Sequence, residues 1–288
     1  MREIPVLGVI GGSGLYNFPQ LRDTKLIEVE TPFGKPSAPL AQGFINDKPV
    51  VFLARHGKGH HISPSEVNYR ANIFALKQLG VTKVISISAC GSLREDFSPG
   101  HIVIPDQVFD FSHKRERSFF GEGMVAHVSV ADPFCPTLSD LLFQSVQNLG
   151  GIVHKGGTYI TIEGPRFSTK AESNTFRVLG MSIIGMTAAP EVFLAKEAEL
   201  CYATMAHVTD YDVWHESEEP VSVEMVIETL HKNTALAQNT IVSLVDLLAQ
   251  QEECNCSTTL KNAIITDHTA IPEATRSKLS LLIDKYLD

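Results

Sequence analysis

Short apolar runs alternate with amphipathic stretches along most of the chain. The runs fall at residues 6–10, 50–54, 84–88, 102–104, 158–162, 182–186 and 202–208. Several are apolar at consecutive positions, the pattern of strands covered on both faces of a sheet. Between them, apolar residues recur every three or four positions, the period of a helix with one buried face. Ser63-Pro64-Ser65-Glu66 has the form of a capping box with proline in the first turn, and predicts a helix to about Leu79, closed by Gly80. Thr169-Lys170-Ala171-Glu172 predicts a second, ending near Gly180. Thr137 is a candidate cap for a helix carrying Leu138, Leu141, Leu142 and Val146. Further helices are expected over 191–200 after Pro190, from Ser222 to about Ala249, and from Pro272 to about Leu287. Strands interleaved with helices predict an α/β fold whose helices cover a sheet. The one break is the polar stretch 251–259. We therefore expect one domain over 1–250 and a C-terminal extension, 251–288, packed on it or on a neighbouring subunit.

Composition narrows the picture. A chain of 288 residues buries on the order of 75% of its unfolded surface and needs no disulfide or metal staple. Lys plus Arg number 24 against 33 Asp plus Glu, a net charge of −9. That balance argues against a nucleic-acid binder, which carries a basic face, but permits a local phosphate pocket. No run of 18 apolar residues predicts a membrane span, and the run at 6–10 is too short for a secretory signal, so a cytoplasmic location without membrane partners is expected. Five cysteines are too few and scattered for a disulfide framework.

Several strand ends carry candidate chemistry. Gly11-Gly12-Ser13-Gly14 follows the first strand. Its glycines let backbone N–H groups face an anion. A dinucleotide loop would need a third glycine where Asn17 stands, and Pro19 follows. A tight turn and a phosphate loop remain, and the Ser13 hydroxyl favours phosphate. Arg55-His56-Gly57-Lys58-Gly59-His60-His61 also follows a strand, where α/β proteins place ligands. A guanidinium can fork onto two oxygens, so phosphate is preferred to a solvated loop. The spacing of His56 and His60 suits a metal only on a helix, which the glycines oppose, and no metal is expected.

Ser88-Ala89-Cys90-Gly91-Ser92 ends another strand with residues small enough for close approach, Cys90 reading as a small buried hydrophobe. In Glu163-Gly164-Pro165-Arg166-Phe167-Ser168 the two charges can pair with each other. Phe167 can stack on a flat ligand, although core packing is the commoner fate of a Phe. Met186 before Thr187 is at a position that is ordinarily core. Thr209-Asp210-Tyr211-Asp212 is the sharpest feature. If the strand continues, both carboxylates point to one face. Sharing a pocket they repel, and one is pushed toward its protonated form. Such a pair donates one hydrogen bond and accepts another, which suits the N7 and 6-amino group of a purine. A solvated turn with two Asp is the alternative, and spacing alone slightly favours it.

Taken in order, Ile10-Gly11-Gly12-Ser13-Gly14-Leu15, Thr31-Pro32-Phe33-Gly34, Arg55-His56-Gly57, Val67-Asn68-Tyr69-Arg70-Ala71-Asn72, Cys90-Gly91-Ser92-Leu93, Glu163-Gly164-Pro165-Arg166-Phe167 and Met186-Thr187 resemble the purine nucleoside phosphorylase family in its trimeric branch, over about residues 6–250. Thr209-Asp210-Tyr211-Asp212 is similar to the members that act on 5'-methylthioadenosine. The resemblance implies a single α/β domain with a mixed central sheet flanked by helices. It implies phosphate-dependent cleavage of 5'-methylthioadenosine to adenine and 5-methylthioribose 1-phosphate. The alternatives are adenosine or a 6-oxopurine nucleoside as substrate, a non-catalytic nucleoside sensor, and, on the glycines alone, a nicotinamide oxidoreductase.

By the same resemblance, Ser13, Arg55, His56, Ser88, Ala89 and Thr187 match the phosphate site. Met186 matches the residue under the ribose, and Phe167 and Ser168 the base site. Asp210 and Asp212 match the pair facing N7 and the 6-amino group, with Asp210 as the acid. Val223, Val226 and Ile227 match the lining of the 5'-methylthio pocket, and His127 a residue lent to a neighbour. The resemblance implies a homotrimer, or a hexamer of two trimers. It implies neither metal nor organic cofactor, inorganic phosphate being a co-substrate. Ser13 and Ser88 stand where many relatives carry Thr, which keeps the hydroxyl. Asp210 stands where 6-oxopurine phosphorylases carry Asn; a carboxylate accepts from an amino group, whereas an amide can donate to an oxygen. Cys254-Asn255-Cys256 lies outside the shared pattern. Some archaeal relatives hold a comparable pair in disulfides. Internal pairing, a bond to Cys201 or Cys135, and free thiols are all open here, free thiols being expected in a reducing cytoplasm.

Overall fold

The computed structural model describes residues 6–12, 18–216, 222–248 and 254–287. Its centre is an eleven-stranded mixed sheet. β1 (Val6–Gly11), β4 (Lys48–Ala54), β5 (Val81–Ser92) and β11 (Cys201–Asp210) run parallel, in the order β4-β1-β5-β11. Their carboxyl ends therefore open on one edge. Every residue of β11 is buried, as the unbroken apolar run 202–208 predicts. Beyond the end of β5 the sheet continues antiparallel through β10 (Ile183–Gly185), which pairs with β9 (Thr158–Ile162), itself paired with β7 (Gln107–Phe111).

Strand alternation divides the core between the two faces. Val84 and Tyr202 face a cluster that includes Ile73, Leu76 and Leu194, from α1 (Tyr69–Gln78) and α4 (Ala188–Glu197). Ile85, Ala203 and Met205 face the other way, against Leu138, Leu142, Ile241 and Leu244, from α2 (Pro136–Asn148) and α5 (Val223–Leu247). Leu260, Leu279, Leu282 and Leu287, from the C-terminal segment with α6 (Glu273–Ile283), join the first cluster.

The expected α/β architecture is found, with four further strands. β2 (Arg22–Ile27) is exposed at every position before Ile27 and β7 alternates exposed and half-buried, so neither makes an apolar run. β3 (Leu40–Ile45) is interrupted by polar and small residues, and β8 (Val153–Lys155) is three residues long. Two helix starts differ from expectation. The Ser63 N–H and hydroxyl donate to Glu66 (3.1 and 2.6 Å), but this box closes an isolated turn. α1 begins later, capped by Asn68, whose Oδ1 accepts from Ala71 N while its Nδ2 donates to Phe33 O. α2 is capped at Cys135 rather than Thr137 because Pro136 takes the first helical position. The reciprocal box of Thr169 and Glu172 opens α3 (Lys170–Val178), and Ser222 caps α5, both as the sequence predicts. Among the described residues no helix is long and apolar enough to cross a membrane.

Candidate active site

A cavity of about 700 Å³ lies at the carboxyl ends of β1, β4, β5 and β11. Its lining includes Gly12, Arg55, His56, Ser88, Ala89, Phe167, Ser168, Met186, Thr187, Asp210 and Asp212. Val223, Val226, Ile227, Leu230 and Thr234 form one wall, a single stripe of α5. Ser13 lies outside the described residues. His127 does not line the cavity. It is exposed, and its N–H donates to Ala263 O at 2.8 Å.

After β4, Arg55 is buried but does not present its fork to the cavity. Its Nε and Nη2 donate to the Glu191 carboxylate at 2.7 and 2.9 Å, Nη2 also to Ser86 Oγ at 2.6 Å, and Nη1 more distantly to Ile87 O at 3.4 Å. Tyr202 donates to the same carboxylate at 2.7 Å. Glu191, from the first turn of α4, thus holds the guanidinium in place. Only Nη1 has a hydrogen to spare for an anion. The expected two-oxygen fork is made to Glu191, because a fully buried guanidinium needs a buried counter-charge.

His56 Nδ1 lies 2.9 Å from Ile62 O. A carbonyl only accepts, so this nitrogen carries the proton and Nε2 is left as an acceptor. Burial, then the charge of Arg55, pushes the His56 imidazole down to about 4. It is neutral at pH 7 and can accept from a protonated phosphate oxygen. The His56 and His60 rings stack at 4.3 Å, which sets them face to face rather than aiming their nitrogens at one ion.

β11 ends at Asp210 and does not continue to Asp212. The β5–β11 register shifts between Val208 and Asp210, β11 stops, and Asp212 turns back at φ 54°. Its N–H donates to Asp210 Oδ1 at 2.7 Å, a side-chain-to-backbone turn. Thr209 Oγ1 donates to Asp210 Oδ2 at 2.6 Å. Both hydrogen bonds favour the carboxylate, yet burial outweighs them and pushes Asp210 up to about 6. Repulsion from Asp212 adds to this and is the smaller cause. The Asp212 carboxyl is also raised, again by burial first, and its Oδ2 has no hydrogen-bond partner among the described residues. Gly91 permits the approach: a Cβ there would lie 2.9 Å from Asp210 Oδ1.

The loop after β9 is stitched by Arg115, which donates to Met186 O and Ala189 O (2.6 and 2.7 Å) and to Glu163 O (2.9 Å). Glu163 pairs with Arg115, not Arg166. Against the cost of burial, the His113 N–H, the Ser65 hydroxyl, the Lys114 N–H and the Arg115 charge hold Glu163 down to about 2. Arg166 instead pairs with Glu172 at 2.6 Å, the residue that closes the α3 capping box. So anchored, the loop holds Phe167 at the cavity with 38% of its surface exposed. Core packing is not its fate.

Sequence reasoning missed three residues. Glu191 falls at the start of the helix expected over 191–200 with no motif around it, and Arg115 lies in none either. His207 also lines the cavity; it is buried, and neither ring nitrogen has a hydrogen-bond partner among the described residues. Its signal was a histidine inside a run otherwise read as a buried strand.

Residues 6–246 match the family model described as the phosphorylase superfamily. The S-methyl-5'-thioadenosine phosphorylase of Geobacter sulfurreducens is 52% identical over 98% of this chain and 99% of that protein. The enzyme of the same name from Koribacter versatilis is 47% identical over 97% and 96%. The crystal structure of a methylthioadenosine phosphorylase from an antarctic soil metagenomic library aligns with a TM-score of 0.93 at 45% identity, covering 98% of this chain and 100% of that one. Methylthioadenosine phosphorylase from Schistosoma mansoni in complex with adenine aligns with a TM-score of 0.84 at 38% identity, covering 98% of each chain.

Proposed function

This chain belongs to the phosphorylase superfamily, and from its cavity we propose the reaction: 5'-methylthioadenosine and inorganic phosphate give adenine and 5-methylthioribose 1-phosphate. The observation that carries this reading is Asp210, a buried carboxyl in the cavity lining, pushed up to about 6 and in contact with Asp212. The C1'–N9 bond breaks as an oxocarbenium-like sugar forms, and the purine leaves with negative charge. A protonated Asp210 donates to N7 and helps it leave. Asp212 Oδ2 accepts from the 6-amino group. Phe167 stacks on the base and Met186 lies under the ribose.

Phosphate is the nucleophile, and its charge stabilises the cationic sugar. Arg55 Nη1, the hydroxyls of Ser13, Ser88 and Thr187, the backbone at Ala89, and His56 as acceptor hold it. These groups supply acid, anion site and orientation without a metal or organic cofactor. The α5 stripe of Val223, Val226 and Ile227 takes the 5'-methylthio group.

Val223 and Ile227 are 61% and 48% exposed within one chain, which supports a homotrimer in which a neighbour's His127 covers them. A light-scattering mass of three chains, and a KM for the nucleoside but not for phosphate raised in His127→Ala, are the expected results. We assign the enzyme to purine and methionine salvage in the cytoplasm; free adenine and a methylthio sugar phosphate as products support the salvage role. The decisive assay is release of free base from 5'-methylthioadenosine, adenosine and inosine, with and without phosphate. Phosphate-dependent adenine release, fastest with 5'-methylthioadenosine, is expected. Equal release without phosphate would make the protein a hydrolase, and faster release from inosine would contradict the role of the Asp pair.

A further inference from the structure

Four of the five cysteines meet at one place, at the end of β11 opposite Asp210. The sulfurs of Cys135, Cys201, Cys254 and Cys256 all lie within 4.8 Å of one another, and those of Cys201 and Cys254 are 3.1 Å apart. They come from three distant stretches. Cys135 caps α2, Cys201 opens β11, and Cys254 and Cys256 belong to a tight 3₁₀ turn, Asn255–Thr258, and its cap. Cys135, Cys201 and Cys256 are buried and Cys254 is half-buried.

A thiol that serves as a small hydrophobe has no need of three others around it. Disulfides would use these sulfurs in pairs, without requiring both pairs to share a centre. A tetrahedral metal site does require it. Four thiolates at about 2.3 Å from an ion lie about 3.8 Å from each other. Spacings of this order are already present, so small side-chain adjustments complete the geometry. Sulfur ligands alone suit a thiophilic, borderline-soft divalent cation, and four of them leave no position open for substrate, the mark of a structural site. Four thiolates around a dication leave net negative charge. The ammonium of Lys83, 3.7 Å from Cys201 Sγ, and the positive end of α2 at Cys135 offset part of it.

We propose that Cys135, Cys201, Cys254 and Cys256 bind one zinc ion, which fastens the C-terminal segment to the start of α2 and the base of β11. Each thiol gives up its proton on binding, so affinity falls as pH falls. The site holds down the segment whose Leu260, Leu279 and Leu282 complete one face of the core.

The test uses the whole protein, purified with a thiol reductant and without chelator. Elemental analysis is expected to find one zinc per chain. A mercurial reagent should release that zinc as the four thiols become reactive. Replacement by cobalt(II) should produce the charge-transfer and ligand-field absorption of a tetrahedral tetrathiolate site. The double variant Cys254→Ser/Cys256→Ser should lose the metal and melt at lower temperature, with kcat for base release unchanged. Should that variant not fold, wild-type metal content and the cobalt spectrum still decide. Reduced protein that takes up neither zinc nor cobalt overturns the proposal. So do disulfides among these cysteines, found by mass spectrometry in protein kept under reductant.

Discussion

Replacing Asp210 by Asn should stabilise this protein while disabling it, because burial causes both effects. The Asp210 carboxyl goes from an ordinary value of 3.8 to about 6 in the folded chain. At about 1.4 kcal/mol per unit, that is a folding cost on the order of 3 kcal/mol once the group is ionised in both states. Between pH 4 and 6 the folded chain keeps a proton that the unfolded chain has released. Stability therefore falls as pH rises through that window, and the whole cost is present above it. Roughly half is already present at pH 5. Asn escapes the cost at every pH. It keeps an acceptor for the Asp212 N–H, and the Thr209 hydroxyl can turn to accept from its amide.

The assay is thermal unfolding of both proteins at pH 5, 6, 7 and 8, at equal chain concentration. The Tm advantage of Asp210→Asn should grow with pH and level off near pH 7–8 at several degrees. His56 and His207, both pushed down to about 4 by burial first, destabilise the fold as pH falls below about 6.5. They do so in both proteins, and the difference removes them. In parallel, kcat/KM for 5'-methylthioadenosine should fall by about 10²–10⁴, the usual worth of a general acid, and selectivity should shift toward 6-oxopurines. A variant that is less stable than wild type at pH 8, or whose advantage is the same at every pH, would refute the burial argument. Unchanged kcat/KM would refute the acid assignment.

Three further outcomes are expected. Glu191→Ala leaves Arg55 buried without its counter-charge and should cost about 3–5 kcal/mol in urea unfolding; a loss near zero would mean that water replaces the carboxylate. Gly91→Ala places a Cβ 2.9 Å from Asp210 Oδ1, and should lower kcat/KM for the nucleoside while leaving the KM for phosphate unchanged; a phosphate effect would show that the proposed base and phosphate sites move together. Val226→Ser should shift the ratio of kcat/KM between 5'-methylthioadenosine and adenosine toward adenosine by an amount worth about 1–3 kcal/mol, and an unchanged ratio would remove Val226 from the 5' pocket.

What the sequence makes legible follows from which forces act locally. β1, β4, β5, β11 and the Thr169 box can be read because apolar runs and capping hydrogen bonds form among neighbours. The exposed strand β2 is not legible, since what makes it a strand is its pairing with β3. The Ser63 box fails for a related reason: Asn68 is tied to Phe33 O and fixes the helix start five residues later. At the site, residue types are more legible than their partners. Arg55 and Glu191 are 136 positions apart, and Glu163 and Arg115 are 48 apart. No local pattern could show that Arg55 spends its fork on Glu191, or that Glu163 ignores Arg166 three residues away.

The same distinction separates the two cysteine signals. Cys254-Asn255-Cys256 is visible as a motif, but Cys135 and Cys201 are single thiols in unrelated contexts, and only the packing of α2 and the C-terminal segment against β11 brings all four together. β11 is thus constrained at both ends by groups that the chain assembles from afar. Cys201 at its base joins the thiol cluster, and beyond the register shift before Asp210 the strand stops and Asp212 turns back onto its neighbour. A strand buried along its whole length between those points has little freedom to slip, since a shift of one residue would move each side chain to the opposite face. That fixes the depth at which Asp210 sits below the surface. Burial depth in turn is the leading cause of its raised pKa, so the acid's strength is a property of the strand's register before it is a property of the neighbouring charge.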